Sequence, residues 1–147
     1  MNGEQTSWPA APASATAGRE TITALIIDDE PHVRAFLRIS LHSLGVTRVH
    51  EAGNGADGVA LFEQIQPTVV LLDVNMPVMS GDRAIQQIFA LDPEAAVIVV
   101  TSDSQHTTVK HFCNLGAMGY VLKHRPAEEV RAMLDEALGC FVVGDDD

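Results

Sequence analysis

The sequence predicts an α/β fold: a doubly wound, five-stranded parallel sheet flanked by five helices. Three observations lead there. Short apolar runs alternate five times with segments of helical periodicity. The runs are close to continuously hydrophobic, as expected of strands covered on both faces. The connections are short, which suits parallel strands joined by crossover helices.

Each element follows from its residues. "ITALII" (22–27) reads as the first strand. Val33, Phe36, Leu37, Leu41 and Leu44 recur at helical spacing over 31–44. "TRVHEA" (47–52) is a more polar strand, which places it at a sheet edge. Val59, Ala60, Leu61, Phe62 and Ile65 define a helix over 56–66. "TVVLL" (68–72) is the third strand, followed by a helix over about 82–91. "AAVIVV" (95–100) is the fourth, followed by a helix over about 105–115. "GYVL" (119–122) is the fifth. The last helix begins near Pro126, with Glu128 and Glu129 favourable in its first turn.

The chain of 147 residues is about one domain. With 46% hydrophobic residues it can build a core. We expect residues 1–20, rich in Ala, Pro, Ser and Thr, to form a flexible tail. The domain then runs over 21–141, and an acidic tail over 142–147. A net charge of −11 repels nucleic-acid phosphates, so no direct nucleic-acid partner is expected. No apolar run is long enough to span a membrane, and no signal peptide is recognisable. Cys113 and Cys140 fit no zinc spacing and read as reduced thiols of a cytoplasmic protein. His32, His42 and His50 read as surface or half-buried residues, and His106 and His111 do not share a helical face.

Open parallel sheets bind ligands beyond the carboxyl ends of their strands. Asp28 and Asp29 follow the first strand, Asp73 ends the third, the fourth runs into Thr101, and the fifth into Lys123. Three carboxylates on one rim repel one another, by about 4 kcal/mol for a pair at 4 Å and effective dielectric 20. A hard divalent cation, Mg²⁺ or Mn²⁺, removes that cost and accepts oxygen ligands. A carboxylate can also become an aspartyl phosphate, and phosphoryl transfer needs mainly alignment and charge compensation. A hydroxyl and an ammonium, Thr101 and Lys123, complement phosphoryl oxygens.

A competing motif is "GNGADG" (53–58), a Gly-x-Gly-x-x-Gly that opens a helix, with Asp73 about 20 residues past its first glycine. That is the pattern of a dinucleotide-binding fingerprint. The strand before it carries Arg48, His50 and Glu51 rather than apolar residues, and the motif leaves the acidic rim unexplained. We read it as a helix-start turn that takes small residues.

The segments "LIIDDEP", "VVLLDVNMPVMSG", "VIVVTSD" and "GAMGYVLK" resemble the receiver domain of two-component response regulators, over about residues 22–140. The resemblance implies a flavodoxin-like sheet with strand order 2-1-3-4-5. It implies that Asp73 accepts a phosphoryl group from a histidine kinase or histidine phosphotransfer protein. It further implies that Asp28, Asp29, Asp73 and the backbone carbonyl of Asn75 hold Mg²⁺, with Asp28 acting mainly through water. Thr101 and Lys123 would contact the phosphoryl oxygens. Met76, Pro77 and Gly81 would shape the loop after the acceptor. Thr101 and Tyr120 would form the switch.

One departure stands out. Most family members, by this resemblance, carry a cis proline after the lysine, whereas Lys123 is followed by His124 and Arg125. A cis Lys123–His124 bond would cost about 2.5–4 kcal/mol, so the loop is either trans and rearranged or strained. The sequence ends soon after the fifth helix, so output is expected through a protein partner. The expected surface is the face of helix four, strand five and helix five, with a phosphorylation-dependent dimer as one form. Such a protein is a signalling protein that catalyses only its own phosphorylation and dephosphorylation. Two other outcomes use the same residues: a phosphorelay carrier, and a receiver-like scaffold insensitive to phosphate.

Overall fold

The computed structural model describes residues 18–76, 79–102 and 106–139. Among these, five parallel strands form one sheet in the order β2-β1-β3-β4-β5. The strands are β1 (Thr23–Ile27), β2 (Arg48–Ala52), β3 (Val69–Asp73), β4 (Val97–Thr101) and β5 (Gly119–Leu122). The helices are α1 (Pro31–Ser43), α2 (Gly55–Ile65), α3 (Gly81–Leu91), α4 (His106–Asn114) and α5 (Ala127–Leu138). The expected fold and strand order are both found.

Burial explains the order. All five residues of β3 and of β4 are buried, which only interior strands with two covered faces allow. β2 is exposed at Arg48 and His50 and sits at the edge, as its polar residues require. One face of the sheet packs on α1 and α5 through Val33, Leu37, Leu41, Val130, Leu134 and Leu138. The other packs on α2, α3 and α4 through Phe62, Ala84, Ile85, Ile88 and Phe112.

Helix starts are set by local chemistry. Asn54 caps α2 by accepting the Asp57 N–H at 2.8 Å. Ser80 caps α3 by accepting the Arg83 N–H at 3.4 Å. Pro31 opens α1, where a missing N–H is no loss.

Two of the three glycines of "GNGADG", Gly55 and Gly58, are packing residues. A Cβ on Gly58 would stand 2.5 Å from Ile27 Cδ1, and one on Gly55 2.8 Å from Met79 Cβ. Small residues let α2 lie close against β1 and against the loop after β3, so the motif is explained without a nucleotide.

The chain departs from expectation ahead of β1. Arg19–Thr21 forms a 3₁₀ turn, and Arg19 is buried at 2% exposure. Its guanidinium donates to Leu44 O at 3.1 Å and pairs with Asp135 at 2.8 Å. The boundary read at residue 20 therefore cuts through an ordered turn. Trp8, Pro77, Asp103, Cys140 and the acidic tail lie outside the described residues.

Candidate phosphoacceptor and metal site

The strands end together and so deliver their terminal residues to one rim. Asp28 continues the β1–β2 ladder, its N–H donating to Ala52 O at 3.1 Å. Asp73 is the last residue of β3 and pairs in register with Val100, next to Thr101. The Lys123 N–H donates to Thr101 O at 2.9 Å, which locks the ends of β4 and β5 together. Asp28, Asp73, Thr101 and Lys123 are all buried.

The predicted acids converge. One carboxylate oxygen from each of Asp28, Asp29 and Asp73 lies within 4.8 Å of the others. Asp28 and Asp73 are buried, and Asp29 is the more open of the three. The lysine reaches them from the far side of the sheet. Lys123 Nζ is 3.1 Å from Asp28 Oδ2, 3.2 Å from Asp73 Oδ2 and 3.2 Å from Glu30 Oε1.

The loop that departed from the family pattern therefore still places its lysine. The Lys123–His124 bond is trans, and His124 takes a positive φ of 68°. That left-handed conformation is uncommon for a residue with a Cβ, although His is among those that adopt it more readily. The turn is made by one unusual residue in place of an isomerised bond.

Electrostatics mark Asp73 as the perturbed acid. Burial raises its pKa, and the nearby Asp28 charge adds to that rise. The Asn75 N–H, 3.0 Å from Oδ1, and Lys123 oppose it; the outcome is a value of about 6. For Lys123, burial pulls the pKa down, but Asp73 and Asp28 outweigh it and hold the ammonium above its usual range. Lys123 in turn holds Glu30 below the usual carboxylate range.

Asp73 Oδ2 is buried and accepts no hydrogen bond from the described residues, although Lys123 Nζ stands 3.2 Å away. Three clustered carboxylates, one with an unsatisfied oxygen, are a donor set suited to a hard divalent cation. The residues present fit such an ion.

The remaining predicted residues fall nearby or on the flank. Asn75 follows β3, with its N–H tied to the Asp73 carboxylate. Met76 is buried below it. Gly81 packs so tightly that a Cβ would lie 2.5 Å from Val74 Cα, which fixes where α3 leaves the loop. Tyr120 pairs with Val99, two residues before Thr101 on the same sheet face, and is 42% exposed. It borders a groove with Met118, Met133 and Ala137.

Sequence reasoning missed Glu30 and Arg34. Glu30 reaches Lys123 across 93 positions of sequence. Arg34 Nη1 donates to Asp28 O at 2.7 Å. Glu30 had one signal, its place directly after the acidic pair; Arg34 had none.

The comparisons agree with this geometry. Residues 24–135 match the family described as the response regulator receiver domain. The chemotaxis protein CheY of Listeria monocytogenes is 33% identical over 113 residues, covering 77% of this chain and 95% of that protein. CheY of Thermotoga maritima is 32% identical over 110 residues, covering 74% and 92%. Among solved structures, Vibrio cholerae CheY4 aligns with a TM-score of 0.72 at 23% identity, covering 80% of this chain and 98% of that one. A chain of the Borrelia burgdorferi CheX–CheY–BeF₃–Mg²⁺ complex aligns at 0.74 and 24% identity, covering 82% and 89%. The two structural likenesses speak for the fold. Among the described residues, no helix is long and apolar enough to cross a membrane.

Proposed function

The chain belongs to the response regulator receiver domain family, and from that premise we propose that it is a cytoplasmic signalling protein switched by phosphorylation of Asp73. The observation that carries this reading is the meeting of Asp73 with Asp28, Asp29 and Lys123 at the carboxyl edge of the sheet.

Asp73 attacks the phosphorus of a phosphohistidine on a histidine kinase or phosphotransfer protein. The new bond is Asp73 Oδ–P, the broken bond is P–N, and the electron pair leaves with the imidazole. Asp28, Asp29, Asp73 and the Asn75 carbonyl would hold Mg²⁺, or Mn²⁺ in its place, Asp28 mainly through water. When bound, the ion supplies charge compensation for the acids and for the phosphoryl oxygens. Lys123 already stands 3.2 Å from Asp73 Oδ2 and neutralises one phosphoryl oxygen. The Thr101 hydroxyl binds another. The chain so catalyses its own phosphorylation and dephosphorylation and no other reaction.

Movement of Thr101 toward the phosphoryl group changes the space beside it on the sheet face it shares with Tyr120. The surface of α4, β5 and α5 is thereby remodelled for a protein target or for a second copy of this chain. The receiver unit spans residues 21–141, and the buried Arg19 immediately upstream supports counting the Arg19–Thr21 turn with it.

The test is Mg²⁺-dependent phosphorylation by acetyl phosphate, read by intact mass. The wild type gains one phosphoryl group, and Asp73→Asn gains none. A wild type that stays unmodified in Mg²⁺ overturns the reading. Transfer of label onward to a histidine would identify a relay carrier instead of a switch.

A further inference from the structure

The acid pair is held unevenly. Every polar group of Asp28 is engaged: its N–H on Ala52 O, its carbonyl by Arg34 at 2.7 Å, Oδ1 by the Glu30 N–H at 2.9 Å, and Oδ2 by Lys123 at 3.1 Å. Asp29 is different. Its side chain takes no hydrogen bond or ion pair from the described residues. The direction of its carboxylate is then set by its own main chain, whose preceding peptide carries the Asp28 carbonyl. Arg34 grips that carbonyl.

Arg34 is itself oriented. Its Nε is 3.1 Å from Glu51 Oε1, while Arg38 Nε is 2.6 Å from Glu51 Oε2. Glu51 lies on β2, opposite Ile26 of β1. Burial raises the Glu51 pKa, but Arg38 and Arg34 outweigh it and keep the carboxyl below its usual range. The guanidinium thus sits between a fixed carboxylate, which it shares with Arg38, and a fixed carbonyl.

We propose that Arg34 is a positioning residue of the acidic rim: oriented by Glu51, it fixes the Asp28–Asp29 peptide and so sets how the carboxylates present themselves to the divalent cation. This rests on the reading of the rim as a cation site. Partners one layer beyond the ligands typically change metal affinity by about 10–100-fold when removed.

Position and charge make opposite predictions. A cation near a cation site repels the ion, so if its field dominated, neutral Gln would tighten binding and Lys would leave it unchanged. If positioning dominates, both weaken it. Lys keeps the charge but lacks the fork that spans Glu51 and the Asp28 carbonyl.

The experiment is Mg²⁺ titration of the full chain by calorimetry, for wild type, Arg34→Gln, Arg34→Lys and Glu51→Gln, with urea unfolding in EDTA alongside. Binding about tenfold weaker in both Arg34 variants, with a smaller loss in Glu51→Gln, is expected. Affinity within twofold of wild type overturns the proposal, even with reduced stability in EDTA, because a purely structural tie behaves that way. Tighter binding in Arg34→Gln overturns it as well. Should Arg34→Gln fail to fold, Arg34→Lys and Glu51→Gln carry the same decision. A folded wild type that binds no Mg²⁺ overturns the cation site, and this inference with it.

Discussion

Replacing Asp73 by Asn should stabilise the protein while ending its phosphorylation. Asp73 is 1% exposed, and its pKa is raised from 3.8 to about 6. A shift of about 2.2 units at 1.36 kcal/mol per unit means that holding this charge costs about 3 kcal/mol at neutral pH. Asn removes the charge and nearly preserves the shape, and Lys123 keeps Asp28 and Glu30 as partners. Between pH 3.8 and about 6 the folded wild type binds more protons than the unfolded chain. Its stability therefore rises as pH falls through 6, and the advantage of the variant shrinks. The difference should be about 3 kcal/mol at pH 7.5 and about 1 kcal/mol at pH 4.5. The assay is urea unfolding followed by circular dichroism, in EDTA, at several pH values. Millimolar Mg²⁺ should then narrow the gap at pH 7.5, because an ion held by the native wild type stabilises that state alone. A variant no more stable than wild type at pH 7.5 in EDTA, or a gap that does not change with pH, would refute the argument that acid crowding is a cost borne for chemistry.

Three further outcomes follow from particular contacts. Lys123→Met removes the cation that three carboxylates share, so it should destabilise the metal-free protein by about 3–5 kcal/mol in denaturant titration. Glu51 has its pKa lowered in the folded state, so its contribution is present above its unfolded value of about 4.5 and is lost as pH falls below that. Glu51→Gln should accordingly lose about 1 kcal/mol at pH 7 and show a flatter stability profile than wild type between pH 5 and 3. Gly58→Ala forces a methyl group within 2.5 Å of Ile27, and should lower stability by about 1–3 kcal/mol in thermal unfolding. Wild type should at the same time give no fluorescence enhancement with a reduced nicotinamide dinucleotide.

The rim was legible because strand ends can be read from hydrophobic runs, and four of the five strands here lead into a residue with chemistry. Asp28, Asp73, Thr101 and Lys123 needed only that logic and the rule that parallel strands share one carboxyl edge. Edge placement of β2 was likewise visible in its polar residues. What escaped was set by main-chain acceptors and by torsion angles. Arg19 reads as part of a Pro- and Ala-rich tail, and nothing local shows that Leu44 O waits for it. Arg34 looks like an ordinary exposed residue of an amphipathic helix, since its partner is a carbonyl with no sequence signature. The sign of φ at His124 is equally silent, so the choice between a rearranged and a strained turn is made only in the folded chain. The glycine motif misleads for a related reason: close packing and phosphate binding both favour residues without a Cβ.

The buried turn at Arg19 has a practical corollary. Leu44 and Asp135 lie toward the carboxyl ends of α1 and α5, so the polypeptide enters at the pole remote from the acids. Five residues of extended β1 separate the two poles, on the order of 16 Å. A fluorophore or affinity handle joined at Gly18 would thus report on the molecule from the end opposite its acids. Trimming at residue 20, however, would pull out a guanidinium plug and leave the core between α1 and α5 open at that end.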